Sequence, residues 1–202
     1  ESPMPVVAPS SPSDCFDMAI EAVKLAIRGM TPVVYLSEGY LANSSEPWLI
    51  PDPDTIPEIE VKHPGPRLNG NGQEPFLPFE RDPETLARPW ALPGTAGLEH
   101  RMGGLSKAPL TGKVSYDPAD HEQMVLERAE KVARLADIIP EQEVFGPASG
   151  DLLVVTFGGT FGAARSAVAQ VLGQGKSVSH AHLRYLNPFP KNLRQILDGF
   201  DR

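Results

Sequence analysis

The 202-residue chain is acidic, with a formal net charge of −8 and an isoelectric point near 5.1. An acidic balance argues against a nucleic-acid backbone or an anionic membrane surface as the partner. No apolar run reaches the roughly 18 residues that span a bilayer, and no secretory signal pattern opens the chain. The single cysteine, Cys15, excludes a disulfide within the chain and an iron–sulfur site built from this chain alone. These features predict a cytoplasmic protein of one or two domains.

The first part of the chain has the pattern of a parallel α/β unit. Short apolar strands are predicted at 5–8 and 33–36. Between them, Ser13 is a natural N-cap, apolar residues recur at helical spacing over 16–27, and Gly29 ends the helix. A strand, a helix and a second buried strand make a βαβ crossover, so the two strands are expected to run parallel.

A proline-rich stretch with no sustained helical or strand period follows. Thirteen of the twenty-two prolines lie between Pro47 and Pro118. A structureless segment of this length is disordered, a linker, or an arm ordered by its contacts. Large apolar residues are spread along it, which argues against disorder: Trp48, Phe76, Phe79, Trp90, Leu92 and Leu98. The stretch is therefore predicted to be an extended arm.

A helix and a second α/β unit are predicted after the arm. Asp117 and Pro118 have the pattern of a helix start, and an apolar stripe that includes Val125 and Val132 follows. From Gly150 onward the predicted elements are a strand at 152–157, a helix at 163–172, a strand at 177–183 and a helix near 193–197. This order again predicts a parallel sheet.

Four residues mark a candidate active-site neighbourhood or subunit contact. Glu38 and Tyr40 directly follow the second predicted strand, and ligands of open parallel sheets bind at the carboxyl ends of strands. A surface turn is the alternative interpretation of these two. In the arm Glu99 precedes His100, where a carboxylate can polarise an imidazole for proton transfer, unless the two side chains point apart. None of the four is predicted to be a catalytic, cofactor-binding or metal-binding residue.

Two further motifs favour structural roles. The GGTFG segment at 158–162 lies between a strand and a helix, where phosphate meets a helix N-terminus in dinucleotide-binding proteins. Its glycine spacing differs from that fingerprint, so tight-turn packing is preferred. His180 and His182 share one face of the next strand, as a metal-binding pair would, but no third ligand is near them. Buried, hydrogen-bonded histidines or interface residues are the preferred interpretation, and the sequence holds no self-sufficient catalytic motif.

Five long blocks resemble, in the same order, the α subunit of 2-oxoacid:ferredoxin oxidoreductases, especially those acting on 2-oxoglutarate. The resemblance covers nearly the whole chain. The blocks are SPSDCFDMAIEAVKLA, TPVVYLSEGYLANSSEPW, FERDPETLARPWALPGTAGLEHRMGGL, SYDPADHEQMVLERAEKV and HAHLRYLNPFPKNL.

This resemblance implies thiamine diphosphate chemistry. A 2-oxoacid is oxidatively decarboxylated, electrons pass through an iron–sulfur cluster to ferredoxin, and the acyl group passes to coenzyme A. The resemblance also implies that the α subunit supplies the pyrimidine-binding domain. A β subunit holds the diphosphate, its magnesium ion and the cluster, so this chain alone is expected to bind no cofactor and to be inactive.

The resemblance also divides the chain. Residues 1–45 resemble the end of the pyrimidine-binding domain and its parallel sheet, 46–117 form the irregular connecting arm, and 118–140 form a helix. Residues 148–202 resemble a truncated transketolase C-terminal-like, Rossmann-type unit. The chain is thus expected to be an internal or C-terminal fragment of the subunit. Two alternatives remain: a nucleotide-binding module that uses the glycine segment, and a non-catalytic assembly subunit.

Overall fold

The computed structural model describes residues 2–66 and 75–202, and its elements follow the predicted order closely. Part of the predicted arm, residues 67–74, lies outside the described residues. The helices and strands are β1 (Val6–Val7), α1 (Asp14–Gly29), β2 (Val34–Tyr35), α2 (Gly39–Asn43), α3 (Pro118–Arg134), β3 (Leu152–Phe157), α4 (Phe161–Gly173), β4 (Val178–Leu183), β5 (Tyr185–Asn187) and α5 (Leu193–Asp198).

Two small sheets contain these strands, and both have the predicted parallel pairing. In the first sheet β1 pairs with β2, with Val6 opposite Val34. In the second, β3 pairs with β4 over its full length. The sequence pattern did not predict β5. This three-residue strand pairs antiparallel with β1 and gives the first sheet the order β2-β1-β5. The two ends of the chain therefore share one sheet.

The hydrophobic core draws on the first α/β unit, the turn after α3 and β5. Its buried members are Val7, Met18, Leu25, Leu135, Ile139 and Tyr185. α1 contributes two of them at helical spacing, the turn after α3 contributes two, and β5 contributes the tyrosine. Burial of this apolar surface is what packs the end of α3 against the first sheet.

A buried ion pair joins the start of α1 to the segment after β4. The carboxylate of Asp14, whose exposed fraction is 9%, accepts hydrogen bonds from the Ser10 amide and the Ser10 hydroxyl, both at 2.7 Å. The Arg184 guanidinium donates to both oxygens of the same carboxylate. This side chain therefore connects residues that lie 170 positions apart in the sequence.

α3 buries a different set of side chains from the predicted stripe. Val132 is buried as expected, but the other buried residues are Met124 and Lys131. The ammonium of Lys131 donates to the Met30 carbonyl oxygen at 3.0 Å, just beyond the last residue of α1. A pattern of apolar residues cannot reveal the burial of Lys131, because lysine counts as a polar residue in such a pattern. Its methylene groups can nevertheless pack in the interior while its ammonium group reaches a hydrogen-bond acceptor.

Side-chain donors to backbone carbonyls hold the arm in place. In residues 46–66 and 75–117 the regular structure is limited to one 3₁₀ turn and isolated bridges. Trp90 Nε1 donates to the Ile27 carbonyl at 2.9 Å, and Arg134 on α3 donates to the carbonyls of Pro83 and Glu84. A proline-rich backbone has few N–H groups, so its carbonyls need donors from side chains. In the described residues 46–66 and 75–117, such contacts hold the backbone against α1 and α3.

We expect Gly112→Ala to destabilise the packing of the arm by about 2 kcal/mol, because two effects add. Gly112 has φ of +67°, and a Cβ atom there would lie 2.4 Å from Cδ2 of Phe79. Gly94→Ala is the matched control, since Gly94 has φ of +85° but no atom within 4 Å of an added Cβ. Limited proteolysis of the arm measures the difference. Equal cleavage rates in the two variants would show that the contact with Phe79 has no effect.

Candidate functional site

The carboxyl ends of three strands meet at one cleft of about 1260 Å³. Ser10 and Ser11 follow β1, Glu38 and Tyr40 follow β2, and the glycine segment 158–162 follows β3. The structure therefore places two of the four predicted residues, Glu38 and Tyr40, at a position where open parallel sheets bind ligands. The serine pair was not predicted, although two hydroxyls a few residues after a strand carry the same signal.

Glu38 begins the short helix α2. Its carboxylate accepts hydrogen bonds from the amides of Tyr40 and Leu41, both at 3.1 Å. These bonds satisfy two of the amide groups that every helix leaves free at its first turn. The cap fixes the orientation of Glu38, while the Tyr40 side chain remains 70% exposed at the edge of the cleft.

The glycine segment lets the second sheet approach Glu38 closely. Gly158 has φ of +63°, a conformation that favours glycine. A Cβ atom on Gly159 would lie 2.1 Å from Oε1 of Glu38 and 3.0 Å from Cδ1 of Tyr40. Close packing across the cleft therefore explains Gly159, and the backbone conformation explains Gly158, which favours the structural interpretation of these two glycines.

We expect Gly159→Ala to destabilise the fold by about 1 kcal/mol, because the new methyl group displaces the Glu38 carboxylate from its capping position. Gly162→Ala is the control in the same segment. Gly162 has no atom within 4 Å of an added Cβ and lies in α4, so alanine there should stabilise the protein by up to about 1 kcal/mol. Thermal unfolding compares the two, and a shift of the same sign in both variants would contradict the packing argument.

Glu46 forms the acidic wall on the α1 side of the cleft. Its carboxylate accepts a hydrogen bond from the Ser11 hydroxyl at 2.6 Å and another from the Ser13 amide. The hydrogen bonds from Ser11 and Ser13 lower the pKa of the Glu46 carboxyl. Ser13 occupies the predicted N-cap position of α1, but its side chain makes no capping hydrogen bond. The Ser13 amide instead donates to the carboxylate of Glu46. Among the described residues that line the cleft, Glu38 and Glu46 are acidic and none is basic.

His180 and His182 are buried and hydrogen-bonded, which confirms the preferred interpretation of this pair. Nε2 of His180 lies 2.7 Å from Thr156 Oγ1, and Nδ1 of His182 lies 2.8 Å from the same oxygen. Phe161 covers both imidazoles, with ring centroids 6.1 and 5.0 Å away. In the described ranges 2–66 and 75–202, no three histidine, cysteine or acidic side chains come together to hold a metal ion.

Glu99 and His100 lie in the arm and do not line the cleft. Nδ1 of His100 donates to the Leu98 carbonyl oxygen at 2.8 Å, and its ring packs 5.5 Å from Phe76. Glu99 is exposed. The Nδ1–H group of His100 therefore forms a hydrogen bond with the backbone and not with Glu99. The expected active-site role of these two residues stays a prediction.

Among the helices of residues 2–66 and 75–202, none is both long enough and apolar enough to cross a bilayer.

Residues 1–108 match the sequence family described as pyruvate flavodoxin/ferredoxin oxidoreductase, thiamine diphosphate-binding. The chain belongs to this family. The match covers more than half of the chain and includes Glu38, Tyr40 and the arm segment with Glu99 and His100. The family resemblance derived from the five sequence blocks is confirmed.

Individual members of this oxidoreductase family match the chain from end to end. The 2-oxoglutarate oxidoreductase subunit KorA of Mycobacterium tuberculosis is 46% identical over 203 residues, which cover all of this chain and 30% of that protein. The 2-oxoacid:ferredoxin oxidoreductase 1 subunit alpha of Aeropyrum pernix is 28% identical over 205 residues. That match covers all of this chain and 31% of the Aeropyrum protein. The chain thus spans about a third of the length of these curated relatives.

A solved structure shows the same fold. It is the 2-oxoglutarate:ferredoxin oxidoreductase of Magnetococcus marinus with 2-oxoglutarate, coenzyme A and succinyl-CoA bound. The superposition has a TM-score of 0.87 at 28% sequence identity and covers 99% of this chain and 34% of the other. The mixed α/β fold with parallel strand pairing is therefore shared with this solved structure.

Proposed function

We propose that this chain is part of the α subunit of a 2-oxoglutarate:ferredoxin oxidoreductase. The observation that carries the proposal is the 46% identity to a 2-oxoglutarate oxidoreductase subunit over the whole chain. The reaction is oxidative decarboxylation of the 2-oxoacid to an acyl-coenzyme A, with electrons passing to ferredoxin. The solved relative with bound 2-oxoglutarate, coenzyme A and succinyl-CoA supports this substrate and product class.

The division of the chain is part of the proposal. Residues 1–45 form the end of a pyrimidine-binding domain, 46–117 the connecting arm, 118–140 a helix, and 148–202 a transketolase C-terminal-like unit. The match of residues 1–108 to a thiamine diphosphate-binding family supports the first assignment. The β3-α4-β4 arrangement with parallel strands supports the last.

The described cleft does not fit the diphosphate of thiamine diphosphate. A diphosphate requires cationic side chains or a carboxylate-bound metal ion beside it. No cationic side chain is among the described residues that line the cleft. Its two carboxylates are already engaged, Glu38 with the amides of Tyr40 and Leu41 and Glu46 with Ser11 and Ser13. The proposal assigns the diphosphate, its magnesium ion and the iron–sulfur cluster to a partner β subunit. The presence of only one cysteine in this chain supports that assignment for the cluster.

Glu38, Tyr40, Glu99 and His100 are proposed to lie near the active site or the subunit contact of the assembled enzyme. The exposed position of Tyr40 beside the cleft supports the first pair. For the second pair, the exposure of Glu99 and the neighbouring exposed apolar residues Met102 and Leu105 suit a contact with another subunit.

The test is a reconstitution assay. A polypeptide carrying this chain together with the remaining segments of the relatives' α subunit is co-expressed with a β subunit. Reduction of ferredoxin is measured with coenzyme A and either 2-oxoglutarate or pyruvate. We expect turnover that depends on coenzyme A and prefers 2-oxoglutarate, and none from the 202-residue chain by itself. Preference for pyruvate would overturn the substrate, and decarboxylation by the chain alone would overturn the division of labour.

A further inference from the structure

Lys131 is buried without a counter-ion. The residue is 8% exposed, and its Nζ atom donates a hydrogen bond to the Met30 carbonyl oxygen at 3.0 Å. None of the ion pairs between described residues includes Lys131. Burial of an unpaired ammonium group is costly, so a lysine in such a position becomes less basic.

The side chain of Lys131 also borders a cavity of about 300 Å³. Arg28, Glu84 and Asp137 line the same cavity, and all three residues are exposed, so the cavity opens to the surface. Its volume equals that of roughly ten water molecules, which is space for a short acyl chain and a thioester group. A molecule of that shape can therefore approach the amine through the cavity, although protein covers most of the residue.

The surroundings of Lys131 favour the neutral amine. Burial, with contributions from Arg81, Arg88 and Arg128, lowers its pKa from 10.5 to about 8. The acidic groups in this region are paired, close to another cation or exposed: Glu127 with Arg81, Glu130 with Arg134, Asp137 with Lys191, Asp82 close to Arg28, and the exposed Glu84. A substantial fraction of the molecules therefore carries the neutral amine near neutral pH.

A neutral lysine amine is a nucleophile. One N–H group of Lys131 meets the Met30 carbonyl oxygen, and this hydrogen bond does not use the lone pair of the nitrogen. Desolvation and neighbouring cations are common means by which proteins activate a lysine. Arg28 beside the cavity makes no hydrogen bond with another described residue, so its guanidinium can bind an anionic group of the incoming molecule.

We propose that Lys131 is an acylation site for coenzyme A thioesters. The neutral Nζ atom attacks the thioester carbonyl carbon and forms a C–N bond. The C–S bond breaks, and coenzyme A leaves as a thiolate that takes up the proton released by the nitrogen. The products are an amide on Lys131 and the free thiol, and no oxidant or reductant takes part. The inference rests on the proposed function only for the source of the thioester, which that reaction produces.

Succinylation of the full 202-residue chain by added succinyl-coenzyme A tests the site without any turnover of a 2-oxoacid. Peptide mass spectrometry gives initial rates at Lys131 and at the exposed Lys176. At pH 7.5 an amine whose pKa is about 8 has a neutral fraction on the order of 100-fold above that of an ordinary lysine. Lower basicity and narrow access offset part of this advantage, so we expect Lys131 to react about tenfold faster than Lys176. Equal or slower reaction at Lys131 would overturn the proposal.

Unfolding in guanidinium chloride is the control for the role of the structure. It removes the cavity and the neighbouring guanidinium groups, so the rate at Lys131 should fall to that at Lys176. Burial alone predicts the opposite, because it protects an inert lysine in the folded chain and exposes it on unfolding. A rate at Lys131 that rises on unfolding would therefore contradict the proposal.

The pH profile separates this amine from a lysine that reacts only through local opening of the chain. The rate at Lys131 should level off above about pH 8, whereas the rate at Lys176 should continue to rise. Parallel profiles at the two lysines would also contradict the proposal. None of these results depends on ferredoxin reduction, so failure of the acylation site and failure of the proposed function are distinguishable.

Discussion

Asp14→Asn is expected to lower the free energy of unfolding by about 3 kcal/mol, the largest effect of any single change considered for this protein. The carboxylate is buried and accepts four hydrogen bonds, two from Ser10 and two from Arg184. Asparagine keeps the shape but loses the charge and one acceptor oxygen, which leaves the Arg184 guanidinium without its partner. The estimate is at the low end for buried pairs because the Arg184 side chain is 38% exposed.

Urea denaturation followed by circular dichroism measures this loss. The matched control is Asp198→Asn, which removes the carboxylate of the exposed i,i+4 pair with Arg194. Exposed pairs of this kind contribute less than about 0.5 kcal/mol. If both variants unfold at the same urea concentration, burial does not strengthen the Asp14 pair.

Lys131 is expected to make the stability of the protein rise with pH between pH 8 and pH 10.5. Burial, with a contribution from Arg81, Arg88 and Arg128, lowers the pKa of its ammonium from 10.5 to about 8. Across that window the unfolded chain binds more protons at this side chain than the folded chain does. The free energy of unfolding therefore increases with pH, by on the order of 3 kcal/mol over the full window.

The comparison with Lys131→Met isolates this effect. The methionine variant has a similar length but no titrating group, so its unfolding free energy should not show this rise. Lys24→Met is the control, because Lys24 lies at the surface in a pair with Glu21 and should leave the rise intact. Burial raises the pKa of Tyr35 and Tyr185, which acts in the opposite direction at high pH, but it does so equally in all three proteins. A parallel pH dependence in wild type and Lys131→Met would contradict the assignment.

The elements of the fold were largely predictable because their signals are local. The strand at 152–157 lies where the sequence places it, and α3 begins after Asp117 at Pro118 as its capping pattern indicates. The parallel pairing of the strands was also predictable from neighbouring residues, because a helix that connects two buried strands is typical of a parallel crossover. β5 was missed because three residues before a proline carry no strand period, and its partner β1 lies far away in the sequence.

The candidate site was predictable in part for the same reason. Glu38 and Tyr40 were selected as residues that follow a strand, and the structure places them in the cleft. Glu46 and the Ser10–Ser11 pair were missed, because their position depends on how α1 and the segment after α2 meet. The close approach of Gly159 to Glu38 joins residues from opposite ends of the chain, which no local pattern can report.

The sequence by itself determined the family and the order of the helices and strands other than α2 and β5. These properties depend on the identity of neighbouring residues and on their spacing. The tertiary structure decided which polar groups are buried and what they face: Asp14 against Arg184, Lys131 against Met30, and Thr156 between two histidines. The energy of a polar group depends on its solvation and its partners, and both are fixed only when distant segments pack together.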